Sequence, residues 1–204
     1  GAINGGSNNR GYVGGIVGYT ENGSVQILNC YNTGSVTGAT CAGGIAGKHT
    51  GGTDPTVTNC YNTGSVKGAS CGALVGEYAA EIRNSYYLEG SASAATGNTK
   101  DGVNVEATAK TAAEMKETAF VLALGNEVFH QDDGRNGGYP LLAWQGGTHV
   151  VNTAAAEAIA RAAEKLTVEP TLVTENCTLA LASTVEGFDG TITWASSNGA
   201  VITP

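Results

Sequence analysis

The run Asn-Cys-Tyr-Asn-Thr-Gly-Ser-Val occurs twice, at residues 29–36 and 59–66, and a degraded copy, Asn-Ser-Tyr-Tyr-Leu-Glu-Gly, begins at Asn84. A second element keeps step with it: Gly-Gly-Ile-Val-Gly at 14–18, Gly-Gly-Ile-Ala-Gly at 43–47 and Gly-Ala-Leu-Val-Gly at 72–76. Equivalent positions of the intact copies recur every 29 or 30 residues. At that period each repeat is one supersecondary unit, which buries its apolar face only by stacking on its neighbours.

Composition separates the possible stacks. Residues 1–78 are about a quarter Gly and rich in Asn, Thr, Ser and Val, which excludes the helical repeat families there. Side chains alternate, with Val57, Asn59 and Tyr61 on one side and Thr56, Thr58 and Cys60 on the other, the two-residue period of a strand. Asn-Thr-Gly at 32–34 and 62–64 supplies a residue tolerant of positive φ, so the chain turns a corner before Ser35-Val36 and Ser65-Val66 resume extended structure. Short strands joined by tight corners make a coil, and coils stacked at about 4.8 Å place like residues above one another. The expected fold is therefore mainly β, a parallel, β-helix-like solenoid over residues 1–86. Asn29, Asn59 and Asn84 form one column, whose amides both donate and accept along the stack. Ile27, Val57 and Ile82 form an apolar column, while Leu28, Thr58 and Arg83 mark a solvent face. A bend at the Asn would reverse the phase, so the pattern leaves open whether Tyr31, Tyr61 and Tyr86 face in or out.

After Asn98 the repeats stop. Thr111-Ala-Ala-Glu114 matches a capping box and predicts a helix of about three turns over 112–124, ending at Gly125, with Met115, Phe120, Leu122 and Leu124 available for burial. Val128-Phe129 and the apolar segment Gly-Gly-Tyr-Pro-Leu-Leu-Ala-Trp at 137–144 need a partner surface. Because the end of a stack exposes strand edges and an open core, residues 87–150 are expected to be an α+β cap that covers it. Residues 151–204 begin with an Ala-rich helix, in which Glu157 and Arg161 make an i, i+4 pair, and then return to a two-residue period at Cys177, Leu179, Leu181 and Thr191-Ile-Thr-Trp194. That remainder is about half of an immunoglobulin-like sandwich.

The paired elements Gly-Gly-Ile-Val-Gly and Asn-Cys-Tyr-Asn-Thr-Gly-Ser-Val resemble the GLUG repeat of large secreted or wall-anchored bacterial proteins, and Glu114-Met-Lys with Gly138-Tyr-Pro-Leu-Leu-Ala-Trp144 is similar to the segment that closes such arrays. The resemblance covers residues 11–144. The helix from 154 to 165 and Thr191-Ile-Thr-Trp-Ala-Ser-Ser-Asn-Gly-Ala-Val-Ile202 are similar to bacterial immunoglobulin-like modules appended to extracellular carbohydrate-active enzymes and adhesins. The resemblance implies an extracellular or cell-wall location and brings no catalytic motif. No signal peptide or membrane-length apolar stretch is visible, and the chain reads as a piece of something longer.

A net charge of −8, with ten Lys plus Arg scattered singly, argues against nucleic acid as a partner. Cleavage of a polysaccharide needs converging acid and base groups, whereas Glu21, Asp54, Glu77, Glu81 and Glu89 fall mostly in the variable joints between repeats. Cys30, Cys41, Cys60 and Cys71 read as small buried hydrophobes, with two disulfides or a zinc site as the alternatives. Ser85 replaces the thiol of Cys30 and Cys60 in the third copy, and no C-x-x-C spacing is present. Asp132, Asp133 and Asn136, in His130-Gln-Asp-Asp-Gly-Arg-Asn136, form the densest polar cluster and offer calcium ligands, although a solvated turn is the simpler reading. Asn22-Gly-Ser and Asn176-Cys-Thr match the glycosylation pattern, which a bacterial source makes irrelevant. Tyr31, Tyr61 and Tyr86 are the best binding candidate, a platform for flat sugar faces if the rings point outward and core filling if they do not. The sequence therefore leads to a non-catalytic stalk or ligand-binding region, with a glycan or a host or microbial surface protein as partner and no cofactor, metal or membrane insertion. The alternatives are an ancillary spacer of an extracellular carbohydrate-active enzyme or peptidase, and a β-helix hydrolase or lyase acting in this chain.

Overall fold

The computed structural model describes residues 1–5, 11–21, 25–50, 56–77, 81–98, 104–154, 157, 159 and 161. They form two compact units, 1–150 and 151–204. The first is mainly β, with parallel sheets and one α-helix, an arrangement compatible with a β-helix-like repeat fold.

Strands one repeat apart pair in parallel, most of them in the first coils at offsets of 29 or 30 residues. Ala2–Asn4, Ser35–Thr37 and Val66–Lys67 form one sheet. Tyr12–Gly14, Cys41–Gly43 and Ser70–Gly72 form a second. Val17–Glu21, Ala46–Thr50, Val75–Glu77 and Thr96–Asn98 form a third. In the fourth, Gln26–Leu28 and Tyr31–Asn32 of the first coil pair with Thr56–Thr58 and Tyr61–Asn62 of the second, and both of these pair with the single long strand Glu81–Leu88. Ile27, Val57 and Ile82 share one column, joined in the interior by Ile45, Leu74 and Val75.

Pairing does not stop at residue 87. Thr96–Asn98 extends the third sheet, and Val105–Lys110 pairs in parallel with Glu81–Leu88. The third coil is shorter: Tyr86 stands 25 residues after its partner Tyr61, and Thr96 stands 21 after Val75. Ser91, Ala94 and Ala95 still accept backbone bonds from Val66, Ala73 and Leu74. The copy looked degraded in sequence because its corners are shortened, while its ladder bonds survive.

The corners also differ from expectation. Gly34 and Gly64 are not left-handed; Asn29, Asn59 and Asn84 are, at φ 54°, 56° and 41°. Asn tolerates that region better than other residues with a Cβ. The turn there reverses the alternation, so that Val57 and Cys60 enter the same interior and Tyr61 leaves it. Glycine is needed at 64 for a different reason: a Cβ there would lie 1.9 Å from the Gly34 carbonyl oxygen of the coil above.

The predicted three-turn helix is broken. Both capping-box bonds form, Thr111 N–H to Glu114 Oε2 at 2.8 Å and Glu114 N–H to Thr111 Oγ1 at 3.3 Å, but they open only a 3-10 turn, Glu114–Lys116. Glu117 is extended, and helix α1 spans Thr118–Leu124 before Gly125 at φ 92°. The break lets Met115 and then Phe120, Val121 and Leu124 bury toward one cluster with Phe129, while Leu122 stays half-buried. Phe129–His130 and Leu141–Leu142 add a small antiparallel pair.

In the second unit Thr153, Ala154, Glu157, Ile159 and Arg161 are helical, and Arg161 Nη1 lies 3.8 Å from Glu157 Oε2. The expected strands at Cys177–Leu181 and 191–202 lie outside the described residues, as do Asn22, Asp54 and Asn176.

Candidate functional site

The tyrosine column is the natural starting point. Tyr31, Tyr61 and Tyr86 are in register, and the first two rings stack with centroids 5.1 Å apart and planes 5° from parallel. They point away from the coil interior, yet they do not form an open platform for sugar faces. Residues 111–150 pack along this outer wall. Phe120 sets its edge against Tyr61 and Tyr86 at 5.7 and 5.1 Å, and Phe129 tilts against Tyr61 at 6.0 Å. Tyr61 is 0% exposed, its hydroxyl donating to the Pro140 carbonyl and accepting from Asn136 Nδ2 at 3.2 Å. Burial pushes its phenol above the ordinary range, helped by the neighbouring Tyr31. Within the apolar segment 137–144, Tyr139 and Leu142 pack on this wall, whereas Trp144 is 81% exposed.

The Asn column lies beside it. Asn59 Nδ2 donates to Asn29 Oδ1 at 2.7 Å, and Asn84 Nδ2 donates to Asn59 Oδ1 at 2.9 Å and to the Ala123 carbonyl at 3.0 Å. A second amide column, Asn32 and Asn62, was not anticipated. Asn32 Nδ2 donates to Asn62 Oδ1 at 2.8 Å, and each side chain closes its own Asn-Thr-Gly corner by accepting from the glycine N–H and donating to the glycine carbonyl. Both residues are buried, so these bonds satisfy groups that water does not reach. The signal was present in the sequence, since Asn recurs at that position too.

Several charged groups pair locally. Glu77 meets Lys48 of the coil above at 3.1 Å, and Glu81 meets Arg83 at 2.6 Å. Asp132 accepts backbone N–H groups from Arg135, Asn136 and Gly138 at 2.7–2.9 Å. Burial works against its ionisation, but these donors outweigh it and hold its carboxyl below the ordinary range. Asp133 is bound to Arg135, and Asn136 faces Tyr61 and Pro140, so the three proposed calcium ligands do not converge on one point. Among the described residues no group of three His, Cys, Asp or Glu is placed to hold a metal ion, and no helix is long and apolar enough to cross a membrane.

The four described cysteines are free thiols. Cys41 and Cys60 are fully buried, and burial pushes the Cys41 thiol up to about 12. Cys41 and Cys71 sit one position out of register, because Cys41 pairs with Ser70. Cys30 and Cys60 stand in the same column, between the Asn29–Asn59 and Tyr31–Tyr61 pairs.

One concave surface remains open at the first coil. A cleft of about 430 Å³ is lined by Ile16, Cys30, Tyr31, Asn32, Leu142 and Gln145, among others. Ile16 is 46% exposed where its column partners Ile45 and Leu74 are 0%. Tyr31 donates its hydroxyl to Gln145 Oε1 at 2.9 Å, an oxygen that also accepts the Leu142 N–H at 3.0 Å. The cleft thus offers an apolar floor, an engaged phenol and a thiol, a set suited to binding or to sulfur chemistry and not to paired acid–base catalysis.

Residues 9–37 and 38–67 each match the GLUG motif. This motif does not define a catalytic family. No curated protein matches the chain, and no solved structure does.

Proposed function

Starting from two GLUG motifs stacked coil on coil, we propose that this chain is a non-catalytic β-solenoid segment, a stalk or spacer of a secreted or surface-bound bacterial protein, followed by an immunoglobulin-like module. One observation carries the reading: the three tyrosines best suited to meet a ligand lie against residues 111–150, the central one at 0% exposure. The Tyr61 ring is enclosed in the stack, and Tyr31 and Tyr86 are half-buried. The columns of like residues along Ile27, Val57 and Ile82 and the pairing of Glu77 and Glu81 with basic partners support the same conclusion. The cleft beside Tyr31 favours a second reading, ligand binding at the first coil.

Glycan and protein arrays probed with the intact chain separate the two. A spacer gives no ligand. A bound glycan whose signal disappears in Tyr31→Ala replaces the spacer by a binding region. The solenoid architecture has its own test, insertion of four further copies of residues 38–67 in tandem. At about 4.8 Å per coil the maximum dimension in solution scattering rises by about 19 Å, and an unchanged dimension rejects stacking.

A further inference from the structure

We propose that Cys30 and Cys60 form a redox-active dithiol that takes a small-molecule disulfide as its oxidant. The column places them together. Asn29 and Asn59 bond side chain to side chain on one flank, and Tyr31 and Tyr61 stack on the other, so the two cysteines between them are in register at the coil spacing of about 4.8 Å. That separation lies within the Cα range a disulfide spans. Cys60 leans toward the outer coil, its sulfur within 3.6 Å of the Ile27 carbonyl.

The two thiols differ in the way such a pair requires. Cys30 lines the open cleft and is half-buried, whereas Cys60 is 0% exposed. The S–H of Cys60 beside it draws the Cys30 thiol down to about 7, and the same contact, reinforced by burial, pushes Cys60 up. The group favoured as thiolate, and so as nucleophile, is thus the one on the solvent side. The third position of the column is Ser85, so the chemistry is confined to the two outer coils.

The steps balance. The Cys30 thiolate attacks one sulfur of the small disulfide; the S–S bond breaks, and one thiolate leaves and takes up a proton. Cys60 then gives up its proton and attacks Cys30 Sγ, expelling the second thiol. Two electrons pass from the protein sulfurs to the small disulfide, which ends as two thiols. The product is a covalent tie between the first and second coils.

The experiment incubates the intact, reduced chain with oxidised glutathione at neutral pH, quenches with a maleimide and maps the peptides by mass. A Cys30–Cys60 linked peptide is expected, and Cys60→Ser should stop at glutathione on Cys30. Serine is tolerated in this column, as Ser85 shows. A second measurement needs no variant: the alkylation rate at Cys30 should be half-maximal near pH 7. No linkage, a linkage through Cys41 or Cys71, or glutathione retained on Cys30 of the unsubstituted chain each overturns the proposal, as does an ordinary thiol titration at Cys30.

Discussion

Replacing Asn59 separates two roles that the same residue holds. Its side chain donates to Asn29 at 2.7 Å and accepts from Asn84 at 2.9 Å, while its backbone sits at φ 56°. Each ladder bond contributes about 0.5–1.5 kcal/mol, and the left-handed backbone costs a residue with a plain Cβ about 1 kcal/mol. Asn59→Ala loses both and should destabilise by about 2–4 kcal/mol. Asn59→Gly loses the bonds but adopts the backbone freely, so it should cost about 1 kcal/mol less than Ala. Asn29 makes one ladder bond, and Asn29→Ala is expected to fall below Asn59→Ala for that reason. Equilibrium urea unfolding followed by circular dichroism resolves these differences. An Asn59→Ala variant within about 0.5 kcal/mol of the parent would refute the ladder argument, and a Gly variant less stable than Ala would refute the backbone argument.

Tyr61→Phe removes one of two bonds to the Pro140 carbonyl, which keeps Asn136 Nδ2 at 3.2 Å, and should cost about 0.5–1.5 kcal/mol. It should also change the alkaline limb of the stability curve. With its folded pKa raised, the phenol contributes stability that is complete below the unfolded value near 10 and is lost as pH rises beyond it. The loss of stability above pH 10 should therefore shrink in the Phe variant, as thermal melts across that range will record. Gly64→Ala drives a Cβ to 1.9 Å from a backbone oxygen that no side-chain rotation moves, and is expected to cost about 3 kcal/mol or prevent folding, read from soluble yield and far-ultraviolet dichroism. A Cys30–Cys60 disulfide closes a loop of about 30 residues, for which the chain-entropy argument gives about 3–4 kcal/mol; the oxidised form should melt higher, and a reductant should reverse the gain.

Legibility followed the range of the interaction. The repeat period set the Ile27, Val57, Ile82 column and the Asn29, Asn59, Asn84 column, because stacking copies at a fixed spacing demands both. The Asn-Thr-Gly corner forms where the sequence placed it, but its positive φ does not: Asn29, Asn59 and Asn84 take that backbone, and Gly64 answers a steric demand from the neighbouring coil. The shortened third coil hid its strands, since Thr96–Asn98 and Val105–Lys110 keep the backbone ladder while shedding the side-chain motif. The open cleft depends on Leu142 and Gln145 meeting Tyr31, a contact between residues more than a hundred positions apart that no local pattern encodes.

Where residues 111–150 dock decides how the stack behaves. In a simple linear array each coil touches only its neighbours, so stability is a sum of adjacent terms and the outer coil opens on its own. Here a single element touches three coils. Gln145 meets Tyr31 of the first, Pro140 and Asn136 meet Tyr61 of the second, and Phe120 and the Ala123 carbonyl meet Tyr86 and Asn84 of the third. Opening the first coil must also pull Tyr31 off the segment that holds the third, which links coils that do not touch each other. Hydrogen exchange should therefore give Tyr61 and Tyr86 amides one common opening free energy, and Phe120→Ala should split it. Separate values in the unsubstituted chain would mean that the lateral contact carries no coupling. The same docked segment reaches the first coil through Leu142 and Gln145, which line the cleft beside Cys30 while Ile16 stays 46% exposed.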